Sequence, residues 1–365
     1  MRKSVSTGLA FGGIAKPELA AQAVERAMKK SGIKSPTAVL LFLSAEFASD
    51  PESSIKAAAK AASCTQIIGC SATGIFTEED WILDCPAAAA MIFDSSISLN
   101  VKKSKTLSEP LMTLAAPNAM NSSWLSKPGL RFGGISGDAI GQGPFSVWEN
   151  GKGATQGYCE IEFLNSKLAI AASHGLKGFS EPQQISQSDS YNLLSIQNIN
   201  AVKHLNKAWQ SFSTQHEVLP LHQIVAIYAK TKTAITQGEY NVASIISCDE
   251  LNGSITLSNT LQENDWMHWA IRDVNAAQID IVKTATKLGQ QLEDEPTFAL
   301  LFSCLGRGPS FYDGSDQDLE LLKTLFPSLP IIGFYGNGEI APISGKSEML
   351  QYSAVIALFS EKTQK

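Results

Sequence analysis

Two stretches of this chain repeat the same order of apolar runs and glycines, and this repeat limits the possible fold more than any other feature. One stretch runs from Pro36 to Phe93 and the other from Pro296 to Phe359. Each has Pro-Thr before an apolar run of strand length, then Ile-Ile-Gly, and a second glycine five residues after the first. A repeat this long predicts two related halves about a pseudo-twofold axis, because a solenoid needs three or more short units.

Apolar strands alternate with helical patterns in both stretches. Strands are predicted over 5–11, 38–44 and 66–69, with helices over 17–30 and 51–62 between them. Buried strands separated by helices indicate an α/β fold whose mixed β-sheets are covered by helices. The sequence therefore predicts two related domains of this class.

The middle of the chain has a different texture. Short alternating runs at 145–148, 158–163 and 168–172 predict antiparallel hairpins, and the polar segment 180–190 predicts a linker. A helix over 196–212, strands at 224–229, 242–247 and 266–271, and a long helix over 275–292 follow. We place the domain boundary near residue 190, giving domains 1–190 and 191–365.

Polar groups follow two strands of the second stretch. Cys304 and Arg307 come at the end of one apolar run, and Tyr335, Asn337 and Glu339 follow the next. Loops at the ends of buried strands are where α/β proteins place ligand sites, since the strands fix the backbone. The corresponding positions of the first stretch carry blander residues, which are Ser44, Phe47, Ser71, Thr73 and Ile75. We therefore predict the binding site in the second stretch.

Arg307 and Glu339 form the most informative pair. An Arg guanidinium can grip a carboxylate and a Glu carboxylate can accept from an ammonium, so the pair could hold both ends of an amino acid. The alternative is that they pair with each other and have a structural role. Cys304 is a candidate nucleophile beside Arg307, but neither loop supplies a His base, and a small buried thiol is the commoner role.

The motifs LLFSCLGRG and IIGFYGNGEIAP, with IIGCSATGIF, RFGGISGD and AIAASHG nearer the N-terminus, resemble the FIST family over nearly the whole chain. The resemblance implies an N-terminal domain of the FIST N type, a C-terminal domain of the FIST C type, and a non-enzymatic sensory protein. It would bind a small polar ligand, with amino acids the proposed class, and signal to a separate partner.

The resemblance also implies a second function, because some family members are haem-binding nitric oxide sensors that act on histidine kinases. His174, in Ala-Ser-His-Gly, and His268 are the candidate haem ligands, although the C-x-x-C-H attachment motif is absent. A cysteine-dependent hydrolase and a protein-interaction scaffold are further alternatives. A eukaryotic branch of the family carries an F-box, and this sequence shows no F-box or kinase pattern.

Composition argues against two classes of partner. The net charge of −6 offers no cationic face for nucleic acid, and the longest apolar run, 87–93, is too short to span a membrane. Six cysteines without C-x-x-C spacing fit free thiols in a reducing compartment. We expect a soluble, cytoplasmic protein.

Overall fold

The computed structural model describes residues 4–101, 109–154, 156–213 and 218–362. Within these ranges the chain forms two compact units, one made of Met1–His174 with Gln278–Lys365 and the other of Gly175–Ala277. The second unit is inserted between two parts of the first. The boundary predicted near residue 190 falls inside this inserted unit, so the compact division differs from the predicted one.

The elements are numbered along the chain. The helices are α1 Pro17–Ser31, α2 Glu52–Ala62, α3 Ser122–Leu125, α4 Ala201–Phe212, α5 Lys232–Gln237, α6 Val274–Leu292 and α7 Gln317–Leu325. The strands before the insertion are β1 Val5–Phe11, β2 Ala38–Ser44, β3 Ile67–Ala72, β4 Gly74–Thr77, β5 Trp81–Ile82, β6 Ala87–Phe93, β7 Ser98–Val101, β8 Leu111–Ala115, β9 Arg131–Ile135, β10 Val147–Glu149, β11 Lys152–Gly153, β12 Tyr158–Leu164 and β13 Ser166–Ser173. The inserted strands are β14 Leu176–Gly178, β15 Gln183–Asp189, β16 Asn192–Ile196, β17 Ile199–Asn200, β18 Ile224–Ala229, β19 Asn241–Asp249, β20 Ser254–Leu257 and β21 Trp266–Arg272. The strands after the insertion are β22 Phe298–Cys304, β23 Ile331–Gly336, β24 Gly338–Ile343, β25 Lys346–Leu350 and β26 Ala354–Glu361.

Three mixed six-stranded sheets build the first unit. Their strand orders are β1-β6-β2-β3-β10-β11, β25-β24-β9-β8-β12-β7 and β13-β26-β22-β23-β4-β5. Apolar side chains from all three meet in one core, where the Phe42 ring lies 4.9 Å from Phe334 and Phe132 lies 6.5 Å from Phe302. The predicted α/β class with mixed sheets is confirmed.

The first and third sheets share a central pattern. β2 runs parallel to β3 and antiparallel to β6, and β22 runs parallel to β23 and antiparallel to β26. The Ile-Ile-Gly glycines sit at matching points, because a Cβ on Gly69 would lie 1.7 Å from the Leu41 carbonyl oxygen and one on Gly333 would lie 1.9 Å from that of Leu301. Close approach of the neighbouring strand thus explains both glycines.

Of the hairpins predicted between residues 130 and 172, one is present, since β10 pairs antiparallel with β11, but β12 and β13 do not pair as a hairpin. The strands themselves exist, but β12 pairs with β7 and β8, and β13 pairs along its length with β26. Alternation of apolar residues identifies a strand but not its partner, since any edge with a matching register will satisfy its backbone. The chain turns between β12 and β13 at Asn165, whose φ is 62°, and enters another sheet.

The inserted unit is a closed ring of six antiparallel strands. β15, β16, β20, β19, β18 and β21 pair in that order, and β21 returns to pair with β15. Leu205 and Trp209 of α4 pack into its core. The linker predicted over 180–190 is therefore wrong: it contains β15, in which Ile185 is the buried residue and polar neighbours alternate around it. The helix predicted from residue 196 begins at Ala201, where Asn200 Oδ1 caps it.

Over the residues that the structure describes, no helix combines the length and the apolar character needed to cross a membrane.

Candidate functional site

Three parallel strands of the third sheet end at one edge. β26 lies antiparallel to β13 and to β22, and β23 is parallel to β22, so β13, β22 and β23 run in the same direction. His174 directly follows β13, Cys304 ends β22, and Tyr335 lies near the end of β23. Sequence segments far apart along the chain thus deliver their polar residues to the same edge.

Arg307 is the centre of a buried charged cluster. It lies in the 3-10 turn Leu305–Arg307 after β22, and only 1% of it is exposed. Its Nε and Nη2 atoms donate to the two carboxylate oxygens of Asp318 at 2.8 and 3.2 Å. Nη1 and Nη2 also donate to the carbonyl and hydroxyl oxygens of Ser173, each at 2.9 Å. The salt-bridge partner that the structure gives Arg307 is Asp318.

The start of α7 holds two buried carboxylates of this cluster. Asp316 caps the helix by accepting from the Leu319 amide at 2.9 Å, and the Tyr335 hydroxyl donates to its other oxygen. The Tyr312 hydroxyl donates to Asp318 at 2.7 Å. Burial, with the nearby charge of Asp318, raises the pKa of Asp316 to about 6. Burial and the Asp316 carboxylate likewise raise the pKa of Tyr335 well above its ordinary value, which keeps its hydroxyl a donor.

Glu339 is fully buried on β24, between Gly134 of β9 and Leu350 of β25. Ser353 links it to Cys304: the Ser353 hydroxyl donates to Glu339 Oε2 at 2.6 Å, and its carbonyl accepts from the Cys304 amide at 3.0 Å. Glu339 Oε1 has no hydrogen-bond partner among the residues that the structure describes. Burial raises the pKa of Glu339 well above its usual range, although the Ser353 hydrogen bonds and the charge of Arg307 oppose this.

His174 lies in the same cluster and is 4% exposed. Its backbone amide and the Ser173 hydroxyl both donate to Asp280 Oδ2 at 2.8 Å. Burial lowers the pKa of His174 to about 4, with the charge of Asp280 raising it and that of Arg307 lowering it further. Haem needs a large apolar slot beside its axial ligand, whereas the neighbours acting on His174 are charged. These surroundings do not fit a haem.

Asn337 was also predicted to belong to the site, but its described contacts lie outside the charged cluster around Arg307. Its backbone amide donates to the Ile135 carbonyl at 3.0 Å, and its side chain lies against the backbone of Gly137, where a Cβ would be 2.8 Å from Oδ1. His268, the other candidate haem ligand, belongs to the inserted unit, where its Nδ1 lies 3.2 Å from the Ser180 carbonyl oxygen.

Comparison with known proteins identifies the architecture. Residues 37–199 match the FIST N domain and residues 203–342 match the FIST C domain. The chain belongs to the FIST family. FIST domains are sensory, signal-transduction domains that bind ligands, and this sets the class of function. The resemblance noted in the sequence is confirmed.

Individual relatives are distant. An uncharacterized protein of Mycobacterium bovis is 24% identical over 229 residues, which are 62% of this chain and 59% of that protein. An uncharacterized protein of Mycobacterium tuberculosis is 28% identical over 123 residues, 34% of this chain and 32% of the relative. The human F-box only protein 22 is 36% identical over 64 residues, 16% of each chain. The matches to these relatives thus span at most about three fifths of their length.

The charged cluster draws on both FIST domains. Ser173 and His174 lie in the FIST N match, Arg307, Asp318 and Glu339 lie in the FIST C match, and Ser353 lies beyond both. The sequence did not identify most of the residues that contact the predicted site residues. The missed partners are Ser173, Asp280, Tyr312, Asp316, Asp318 and Ser353. One signal is available in the sequence: the acidic segment 313–320 (DGSDQDLE) places carboxylates where a helix can begin, and Asp316 caps α7 there.

Proposed function

We propose that this FIST protein is a sensor that binds a small polar ligand through Glu339. The observation that carries the proposal is the partnerless Oε1 atom of a fully buried carboxyl group. Leaving such an acceptor unsatisfied costs about 1–3 kcal/mol, and native proteins seldom retain this cost without a use. A ligand that donates an N–H to Oε1 would remove it.

The ligand donor is best matched by an ammonium group. Burial favours the neutral form of Glu339 in the free protein. An ammonium beside Oε1 would favour the carboxylate instead and would lower this pKa, so binding should release a proton at pH values between the lowered and the raised pKa. An uncharged amide donor would bind without such release. Small amines and amino acids are therefore the proposed ligand class.

Arg307 takes a different role in this proposal from the ligand anchor predicted from sequence. Four hydrogen bonds already commit its guanidinium to Asp318 and Ser173. A guanidinium group held by these bonds keeps the strand ends in position. Its positive charge favours the ionised form of Glu339 when a ligand binds. Cys304 and Tyr335 line the cluster, and the protein acts as a binder rather than an enzyme.

The cluster also lies where the chain leaves the first unit. Ser173 and His174 immediately precede the crossing into the inserted unit, and Asp280 follows the return crossing by a few residues. All three belong to one hydrogen-bonded group with Arg307. We propose that ligand binding shifts the population of conformers through these two connections and that a separate signalling protein, such as a histidine kinase, reads the change.

The matched strand patterns support one further part of the proposal, that residues 36–93 and 296–359 descend from one duplicated unit. Superposing the backbone of β2, β3 and β6 on that of β22, β23 and β26 tests it. A twofold operation should bring α2 onto α7 as well. If the strands superpose but α2 and α7 then lie on opposite faces of the superposed sheets, the duplication hypothesis is wrong.

Calorimetric titration tests the binding proposal. The parent, Glu339→Gln and the matched control Glu348→Gln on the neighbouring strand β25 are titrated with glycine, alanine, serine, ethanolamine and acetate. Loss of one charge-assisted hydrogen bond should weaken binding about ten- to hundredfold in Glu339→Gln and not in Glu348→Gln. Repeating the titration in buffers of different ionisation enthalpy measures proton release. Absence of any heat or thermal stabilisation across the panel would contradict the proposal.

A further inference from the structure

The inserted unit contains a cavity of about 590 Å³ beside α4, lined entirely by its own residues. This volume falls within the range of small-molecule sites in proteins. One wall is polar and carries Gln183, His204 and Lys207, and Phe179 and Phe212 stand on another. The arrangement is independent of the charged cluster around Arg307, which lies in the first unit.

A short relay fixes the polar wall. The Trp269 indole Nε1–H donates to His204 Nδ1 at 3.0 Å, and an indole nitrogen can only donate. Nδ1 of His204 is therefore unprotonated, and the neutral ring carries its proton on Nε2. That proton is donated to Gln183 Oε1 at 2.6 Å. The orientation of the Gln183 carboxamide is thereby set, and its amide N–H groups remain as donors at the cavity wall.

A positive charge stands beside this donor. Lys207 lies one turn beyond His204 on α4. Burial lowers the pKa of His204, and the charge of Lys207 lowers it further. The Ser211 hydroxyl, which also lines the cavity, donates its hydrogen to the Lys207 carbonyl oxygen at 3.0 Å, so it can only accept from a ligand. An amide donor and an ammonium together suit a single carboxylate.

The second wall suits a flat apolar body. The ring centroids of Phe179 and Phe212 are 5.3 Å apart with planes at 36°, and Trp209 lies 5.6 Å from Phe179. Aromatic faces of this kind stack with planar groups. Glu181 adds a negative charge to the lining, which disfavours a dianion such as a phosphate ester more strongly than a monoanion.

We propose that this cavity is a second ligand site, in which Gln183 and Lys207 hold the carboxylate of a small aromatic carboxylic acid and Phe179 and Phe212 hold its ring. The site is separate from that of Glu339, and the two proposals stand or fall independently.

The test uses the full chain and 4-fluorobenzoate as the probe, observed by ¹⁹F NMR. Ligands of this size bind with a Kd on the order of 1 mM when a site is well matched. Gln183→Glu keeps an acceptor for the His204 Nε2–H but replaces the amide donor by a negative charge, so the fold should persist while affinity falls about tenfold or more. Lys207→Gln should weaken binding about three- to tenfold, because its ammonium is exposed.

Two controls make the result decisive. Lys203→Gln removes an exposed lysine from the same helix, one turn away and outside the cavity lining, and should leave the Kd unchanged. The neutral 4-fluorobenzyl alcohol should bind the parent more weakly than 4-fluorobenzoate does. Its Kd should be the same for the parent and for Lys207→Gln. The proposal is overturned if the parent gives no saturable response to 4-fluorobenzoate, or if Gln183→Glu and Lys207→Gln bind it as Lys203→Gln does.

Discussion

The first and third sheets of this protein share a strand pattern, but the ends of their parallel strands carry different side chains: neutral hydroxyl groups in the first sheet and charged groups in the third. At the end of β2 and β3, Ser44 Oγ accepts from the Ala87 amide at 2.9 Å, and Ser71 Oγ accepts from the Ser146 amide at 3.0 Å. Hydroxyl groups there bind neighbouring backbone. At the end of β22 and β23, Arg307 and its carboxylates form a buried ionic network.

The contrast is sharpest at the position of Glu339, whose counterpart in the repeat is Ile75. Both residues are fully buried. Ile75, on β4 of the third sheet, contributes to the apolar core, whereas Glu339, on β24 of the second sheet, carries a carboxyl oxygen without a hydrogen-bond partner among the described residues. The first stretch fills the corresponding sequence position with the hydrocarbon side chain of Ile75. A carboxyl group at this position of the second stretch, where the first stretch has isoleucine, fits the binding role proposed for Glu339.

The largest effect is expected from breaking the ionic network at the end of β22 and β23. Arg307→Met would leave Asp318 buried without its cation, so the free energy of unfolding should fall by about 3–5 kcal/mol. Removing both charges in Arg307→Met with Asp318→Leu should restore most of the loss, because an apolar pair has no uncompensated charge. Urea unfolding measures both.

The matched control at the first sheet is Ser71→Ala. It removes one neutral acceptor for the Ser146 amide and should cost about 1–2 kcal/mol. A cost for Arg307→Met no larger than that for Ser71→Ala would mean that the two edges do not differ energetically, and the comparison would fail.

Sequence predicted the scaffold of both edges because their strands are buried on both faces. β1 and β2 begin and end at the predicted residues, and Cys304 and Arg307 lie at a strand end as expected. Buried strands need unbroken apolar runs, and the runs are visible without knowledge of the fold. The ring of strands in the inserted unit was less visible, because β15 buries one face and its polar residues resemble a linker.

The partners of the site could not be predicted in the same way. Ser173 lies 134 residues before Arg307 and meets it only because β13 pairs with β26 and so joins the third sheet. The acidic segment 313–320 is typical of a helix start, but nothing in it identifies Asp318 as the salt-bridge partner of Arg307. Such contacts depend on strand order, which the periodicity of a single strand does not encode.

A smaller effect of opposite sign is expected when Glu339 is replaced by its counterpart residue. Glu339→Ile removes a buried carboxyl group with one unsatisfied oxygen, but it also removes the acceptor of the Ser353 hydroxyl, so the unligated protein should gain a net stability of no more than about 1 kcal/mol. Binding of the ligand class proposed above should be lost. A variant that is less stable than the parent at every pH would show that Glu339 has a structural role.

The gain should also depend on pH in a defined direction. Because the pKa of Glu339 in the folded protein is raised above its ordinary value of 4.5, the folded state holds more protons than the unfolded chain above that pH. This group therefore makes the parent less stable as pH rises from 4.5 toward the raised pKa, and Glu339→Ile lacks the decline. The difference in unfolding free energy between the two proteins, measured from pH 4 to pH 8, should widen with pH.

The smallest effect is expected at Cys304, whose counterpart is Ser44. Cys304 is 7% exposed at the end of β22 and its amide is bonded to the Ser353 carbonyl. Cys304→Ser should change the free energy of unfolding by no more than about 1 kcal/mol and leave ligand affinity within about twofold, since the hydroxyl is close in size to the thiol. Iodoacetamide should alkylate Cys304 no faster than an ordinary thiol. Rapid alkylation at pH 6, abolished in Cys304→Ser, would instead indicate a thiolate nucleophile and favour the cysteine-dependent hydrolase over the sensor.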